Sequence, residues 1–342
     1  MSALQALLAA AMFGLSVPLA KRLLDVGSPL FLAGLLYLGA GLFLTGVRAV
    51  TRSRRSPRPL EPRERVILVG VVLTGGVLAP PLLLWGLARA PASAASLLLN
   101  LEVVFTVVLA GAIFHEHLGT RVVAASVMLA AGGIVLGWPS GHLDLPIASA
   151  AVAGACLLWA IDNNLTRVIA DADALLVAQR KGLAAGVVNV ALSLAAGHAL
   201  PPPASIAISL VVGAVGYGTS LVLFIMAMRG LGAARTGAYF ALAPFFGALA
   251  GVALLGEPVT APLTLTAALM AGGVWLLLRE RHSHRHRHEA GMHTHRHVHD
   301  QHHQHQHEGW EGPEPHMHPH ATGPLEHDHP HIHDGHHGHD HD

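Results

Sequence analysis

Residues 97–120 read LLLNLEVVFTVVLAGAIFHEHLGT, and about 140 positions later residues 238–260 read AYFALAPFFGALAGVALLGEPVT. Each is an almost wholly apolar run that closes on a carboxylate, Glu116 or Glu257, with a threonine just beyond, Thr120 or Thr260. Phe105 matches Phe246, and Ala130-Ala131-Gly132-Gly133 matches Met270-Ala271-Gly272-Gly273. The two halves also begin alike, more weakly: FGLSVPLAKRL at 13–23 against WAIDNNLTRVI at 159–169. An apolar run of about 20 residues has the length that carries a helix across the hydrocarbon core of a bilayer.

Working outward from these stretches, ten segments of spanning length can be marked. They lie at about 3–20, 29–47, 66–88, 92–114, 122–138, 147–166, 174–196, 206–228, 232–256 and 260–278. Composition agrees: 52% of the 342 residues are hydrophobic and 12% are charged, with a mean hydropathy of +0.49. A soluble domain carries about a quarter charged residues. No basic segment precedes the first apolar stretch, MSALQALLAA, so it is expected to span and not to be a cleaved signal. The single cysteine, Cys156, excludes an intramolecular disulfide framework, and a formal net charge of zero gives no electrostatic case for nucleic acid.

Arginine fixes the orientation. The segment between the second and third spans carries Arg48, Arg52, Arg54, Arg55, Arg58, Arg63 and Arg65, and Arg121, Arg167, Arg229 and Arg235 fall on the same side of a ten-span chain. Only Lys21, Arg22 and Arg89 fall opposite. By the positive-inside rule both termini are expected in the cytoplasm, with the protein in the cytoplasmic (inner) membrane. Five spans per half is an odd number, so the second half is expected to lie inverted. The expected fold class is therefore all-α integral membrane, ten transmembrane helices as two inverted five-helix repeats, 1–140 and 141–281, followed by a tail, 282–342. Inverted repeats place a substrate site near the midplane, where the halves meet.

These residues carry a resemblance. The two five-span repeats, the acidic ends HEHLGT and GEPVT, and the AAGG and MAGG helices that follow resemble the EamA family of the drug/metabolite transporter superfamily, over about 3–279. The resemblance implies a proton- or gradient-driven or facilitated carrier of small solutes, often an exporter of amino acids or other metabolites. HEH in place of the usual GE, and the ID-NN sequence of the sixth span, depart from the family pattern.

Ionisable and amide groups inside spans are the candidate transport residues, because a charge at bilayer depth costs about 2.5–3.5 kcal/mol unless paired or wetted. The densest set is Asp162, Asn163 and Asn164, in the sixth span. Arg180 and Lys181 enter the seventh span from the same end, so either can meet Asp162 at similar depth. The group is then a structural ion pair, or a gate or proton-coupling element. Its first-half counterpart is Ser16. Asn100 and Glu102 are the second set. They stand about 200° apart on a helix and cannot share one cavity. Glu102 is the expected cavity residue, able to take a proton or a metal ion, and the alternative places it at the outer boundary. Glu116 and Glu257 sit at the negative end of a helix dipole and are expected to orient the turns that Thr120 and Thr260 N-cap. His115 and His117 beside Glu116 resemble a ligand set. Trp85, Trp159 and Trp275 read as packing or interfacial anchors.

All but four of the 27 histidines lie in the tail. HSHRHRH supplies His282, His284, His286 and His288, and MHTHRHVH supplies His293, His295, His297 and His299. His302, His303, His305 and His307 follow, then His316, His318 and His320. The end carries His327, His329, His331, His333, His336, His337, His339 and His341. Alternating imidazoles bind borderline metals, so zinc, nickel, cobalt or copper is expected there, with little selectivity. No cofactor is required. Too few apolar residues are present to bury a core, so an unfolded tail is expected.

The functional expectation is a transporter of a small solute, with a divalent transition metal or metal complex as the sharpest form. One alternative is export of an amino acid or metabolite with a metal- or pH-responsive tail. Another is a membrane-anchored metal buffer or sensor. No HExxH, GxSxG or phosphate-binding glycine loop points to an enzyme. The expected partners are a small-molecule or ion substrate and the lipid bilayer.

Overall fold

The computed structural model describes residues 1–50, 60–114, 119–137, 144–169, 173–231, 233–278, 282–288, 291–297, 316–322 and 325–331. The chain divides into two units, Met1–Arg279 and Glu280–Asp342. The first is all-helical in its described residues. It opens with α1 (Ser2–Leu23) and α2 (Pro29–Val50). Next comes α3 (Pro62–Val72), a π-helical turn Leu73–Leu78 and α4 (Ala79–Arg89), then α5 (Ala92–Leu98), α6 (Leu101–Phe114) and α7 (Thr120–Gly137). The same order then recurs. It runs α8 (Asp144–Val168), α9 (Ala174–Ala195), α10 (Pro203–Val212), a π-helical turn Gly213–Thr219 and α11 (Ser220–Leu231). It closes with α12 (Ala233–Phe240), α13 (Ala243–Leu255) and α14 (Ala261–Leu278).

Eight helices among the described residues are long and apolar enough to cross a membrane, and Ala243–Leu255 and Ala261–Leu277 are shorter apolar helices. The ninth expected span, 232–256, is therefore not one helix. It breaks at Ala241–Leu242, and Pro244 sits in the first turn of α13, where its missing N–H costs nothing. The fourth expected span breaks in the same place, between α5 and α6 at Leu99–Asn100.

The packing crosses between the halves: α1 lies on α11 and α13, α8 on α4 and α6, α2 on α9 and α7 on α14. Small residues set the closest approach. A Cβ on Gly41 would stand 2.7 Å from Leu183 N, and one on Gly34 would stand 2.8 Å from Val190 N. Both contacts are too short for any side chain, so glycine lets these backbones touch. Gly34 faces Gly186 while Gly41 faces Gly182, so α2 and α9 run antiparallel. The largest apolar core includes Leu84, Leu87, Leu97, Leu98, Leu129 and Met270.

In the second unit His282–His288 pairs antiparallel with Leu325–His331, and Gly291–His297 with His316–Thr322. The register sets His284 opposite His329 and His295 opposite His318. Alternating residues suit an extended chain, although a two-stranded ladder is marginal on its own in water. His299, His302, His303, His305, His307, His333, His336, His337, His339 and His341 lie outside the described residues, as do His115, Glu116 and His117.

Candidate functional site: a cavity between the halves

The site is organised by the π turn of the first half. Widening the helical coil turns backbone carbonyls outward, and they must then find other donors. Gly75 O accepts from Tyr37 Oη at 2.7 Å and from Trp159 Nε1 at 3.0 Å. Gly76 O accepts from Asn189 Nδ2 at 3.1 Å. Three helices, α2, α8 and α9, are thereby pinned to one turn. A Cβ on Gly75 would run into the Asp162 carboxylate, and one on Gly76 would stand 2.5 Å from the Ala185 methyl. Glycine at both positions is what lets α8 and α9 close in on the turn.

Across those glycines Asp162 pairs with Lys181. The sequence left Arg180 and Lys181 as equal partners. One residue turns the helix face by about 100°, so only Lys181 faces Asp162, while Arg180 is exposed. Asp162 is buried, and its Oδ1 has no hydrogen-bond partner among the described residues. Asn163 and Asn164 separate from it in the same way. Asn164 Nδ2 donates to Ala160 O at 2.8 Å and Thr106 O at 3.3 Å, a buried link between α8 and α6. Asn163 Nδ2 donates to Glu102 Oε1 at 2.8 Å.

The second half has a π turn in the matching place. A Cβ on Gly216 would stand 2.6 Å from Ser16 Cβ, so Ser16 lies on Gly216 much as Asp162 lies on Gly75. The charge is present in one half only.

Around the pair is a cavity of about 380 Å³, lined by α1, α2, α3, α8, α9, α11, α12 and the second π turn. Five rings face it: Phe13, Tyr37, Tyr217, Phe224 and Phe240. Phe13 stands 5.5 Å from both Tyr217 and Phe240, and Phe224 stands 5.1 Å edge-on from Phe240. The polar wall is Asp162, Asn163, Thr166, Lys181 and Ser220. Ile169, Ala174 and Val177 line the cavity toward the end where Arg48 and Asp173 meet. There Arg48 Nη1 lies 2.5 Å from Asp173 Oδ2. Asp173 also N-caps α9 through the Leu175 and Leu176 amides. Partial burial pushes its carboxyl up, but the Arg48 guanidinium and these amides outweigh it and hold it below the ordinary value.

Other sequence candidates fall outside the cavity. Asn100 is buried at the α5–α6 break, donating to Leu97 O at 3.2 Å and touching Met270 Sδ at 3.8 Å. Glu257 does not orient the turn into α14. Its two oxygens accept from Ala92 N at 2.5 Å and Ser93 N at 2.8 Å, in the first turn of α5. The reason is electrostatic: the carbonyl end of α13 repels a carboxylate, and the amide end of α5 attracts one. Gly256, at φ +68, turns the chain so that Glu257 can reach. Thr260 does cap, through Leu263 N at 3.4 Å. Trp159 is a buried donor, Trp85 stacks under Arg89 at 3.9 Å, and Trp275 is half-exposed. Sequence reasoning missed Gly75, Gly76, Tyr37 and Tyr217. Their signal was available: only three tyrosines occur in the chain, all inside expected apolar spans, and one is flanked by glycines as Gly216-Tyr217-Gly218.

A multi-pass helical body with a ring-lined, ion-paired cavity drawn from both halves defines a membrane transporter of a solute. The chain belongs to the EamA-like transporter family, whose model matches residues 1–138 and 147–279. It is 29% identical over 283 residues to an uncharacterized transporter of Methanothermobacter thermautotrophicus, covering 78% of this chain and 82% of that one. A protein of known crystal structure shares the fold, with a TM-score of 0.59 at 18% identity over 80% of this chain and 94% of its own.

Proposed function

We propose that this protein carries a small organic solute with an apolar or aromatic body and a polar head, as an exporter of amino acids or related metabolites would. The observation that carries the reading is the cavity wall, five rings around one acid–base pair. Rings take up an apolar body. The free Asp162 Oδ1 offers an acceptor to an amine, and Lys181 offers a cation to a carboxylate. A transition metal as cargo is supported by the tail histidines only. The described cavity wall holds one carboxylate and no histidine or cysteine, a poor set for a borderline metal.

The same reading takes the chain as ten spans in two inverted five-helix repeats that rock about the cavity, with both termini cytoplasmic. Its support is the recurrence of long helix, long helix, π-interrupted helix, broken helix and helix in each half, the exchanged packing of α1 and α8, and the arginine bias. The tail then acts as a cytosolic metal-binding regulator, supported by its alternating histidines.

The test is flux from vesicles containing the full chain. A mixture of amino acids and other small metabolites is loaded and its efflux read by mass spectrometry, with zinc and nickel followed in parallel by an indicator dye. An organic solute should leave, and Asp162→Asn and Lys181→Met should each slow it at least tenfold, about 1.4 kcal/mol or more. Metal flux that depends on the chain, with no organic flux, would overturn the reading.

A further inference from the structure

Glu102 is not part of the cavity wall. It falls near the middle of the apolar stretch Ala92–Ile113, in the first turn of α6 just past the break at Leu99–Asn100. Among the described residues its carboxylate has one hydrogen bond, from Asn163, which is itself in the cavity wall and also reaches Thr106 Oγ1 at 3.4 Å. Glu102 is thus one amide away from the cavity, and Asp162 is the next residue along α8.

The charges do not balance. Glu102 and Asp162 are two acids, and Lys181, the one ammonium of the described cavity wall, is already held by Asp162. The other titratable neighbours of this group are the Tyr37 phenol and the Cys156 thiol, which bring no positive charge. Arg167, one turn farther along α8, and Arg121, in the first turn of α7 beside α6, have contacts of their own. With both acids ionised, this group of described residues would carry one more negative charge than the Lys181 ammonium can match. A carboxylate there needs water, a cation or a proton.

We propose that Glu102 is the proton-carrying group of this transporter, with Asn163 linking its protonation to the Asp162–Lys181 pair and the cavity. The exchange is a simple ionisation. The carboxylic acid loses H⁺ to water in the cavity and the carboxylate regains it from water on the other side, with no electron moved and no co-reactant used. In the protonated state Asp162 and Lys181 are a neutral pair beside a neutral acid. Loss of the proton sets two carboxylates competing for Lys181, and this loosens the ion pair from which a cargo must take its partners. The coupling to cargo rests on the reading of the cavity above, but proton binding by Glu102 does not.

The test needs no identified cargo. The full chain is reconstituted in lipid vesicles, and the infrared carbonyl band of protonated carboxylic acid is recorded from about pH 5 to about pH 9, a range in which exposed carboxylates are ionised. The band should be present at neutral pH, vanish in Glu102→Gln and survive in Asp162→Asn. Glu102→Asp should restore a band with a shifted midpoint, and that variant keeps the test open should Glu102→Gln fail to assemble. Vesicles loaded with a pH dye and the metabolite mixture should show cargo-linked proton movement for the native chain and Glu102→Asp. Glu102→Gln, fixed in the neutral state that never loosens the pair, should abolish the proton signal and slow solute exchange as well. No protonated acid at neutral pH, or a band that is unchanged in Glu102→Gln, overturns the proposal. An absence of any organic flux would instead remove the cargo reading while the infrared result stands.

Discussion

Lys21 and Glu257 grip the same turn from its two sides. Lys21 Nζ donates to Leu87 O at 2.6 Å, Ala90 O at 3.0 Å and Ala88 O at 3.2 Å, closing the carbonyl end of α4. Glu257 takes the first amides of α5 on the far side of Pro91. A cation on a helix C-terminus and an anion on a helix N-terminus are both the favourable sign. None of these residues lines the cavity, whose wall runs toward the opposite end at Ile169 and Ala174. The α4–α5 turn is thus fixed by Lys21 from one half and Glu257 from the other, away from the cavity wall.

Glu257→Ala leaves two amides at the start of α5 without an acceptor. The expected loss is about 1.5–3 kcal/mol for charge-assisted bonds of this kind, seen as a lower melting temperature of the purified protein in detergent. A cysteine placed at Phe13 should also become reactive to an impermeant reagent from the Lys21 side. An unchanged melting temperature together with unchanged labelling would show that the grip contributes nothing.

Asp162 and Lys181 give a sharper test because both are inside the membrane body. Asp162→Ala leaves Lys181 without its partner, and breaking such a pair from one side costs about 3–5 kcal/mol. The double change Asp162→Asn with Lys181→Met removes both charges and should recover most of the protein level without recovering transport. If the double variant transports like the native chain, the pair is only scaffolding.

The depth of Asp162 was legible from sequence because span length converts residue number into distance. The choice between Arg180 and Lys181 was not, since it depends on how α9 is rotated, and neighbours contribute nothing to that until the fold forms. The breaks at Leu99–Asn100 and Ala241–Leu242 are silent in hydropathy, which runs on across them, although Pro244 marked one. The π turns add a residue to a coil without changing its polarity, so only their glycines betray them. Glu257 was misread because a local rule, capping of the next turn, lost to an amide end 165 residues away. Tyr37 and Tyr217 were passed over because charge was the signal sought, and the rings that line the cavity carry none.

Gly75→Ala separates space from chemistry. Its Cβ has no room beside Asp162, so overpacking should cost about 1–3 kcal/mol and displace the carboxylate from Lys181. Gly46→Ala in α2 is the control. A Cβ there meets nothing within 4 Å, and alanine should stabilise the helix by up to about 1 kcal/mol. Equal effects of the two changes on melting temperature would contradict the packing at the π turn.

At the arginine end, Asp173 links α2 to α9 through Arg48 and sits outside the apolar spans. Its carboxyl lies below the ordinary 3.8 in the folded protein. The folded state therefore binds this proton less readily than the unfolded chain. The stabilisation is complete above the ordinary value and is lost as pH falls through the lower folded one. Asp173→Asn keeps the cap on α9 but removes the charge, so its melting temperature should fall less steeply with acid than that of the native protein. Parallel acid limbs for the two proteins would refute the linkage.

The tail prediction separates a regulator from a cargo path. A peptide of residues 282–342 should bind several zinc or nickel ions through its alternating imidazoles, loosely enough for a chelator to remove them, because no geometry is fixed in advance. The ions should be released near about pH 5, as imidazole protonates around its ordinary 6.5. Calcium and magnesium should compete poorly, since they take clustered oxygens. Truncation after Arg281 should leave the body's melting temperature unchanged, because the helices supply their own packing. If the tail regulates transport of an organic solute, flux in metal-free buffer should be the same with and without it, and added zinc should change flux in the full-length chain only. A shift in metal tolerance of cells with no change in organic flux would point to metal as the cargo. A peptide that takes up no transition metal at about pH 7.5, where imidazoles are neutral, would leave the tail with no role in metal handling.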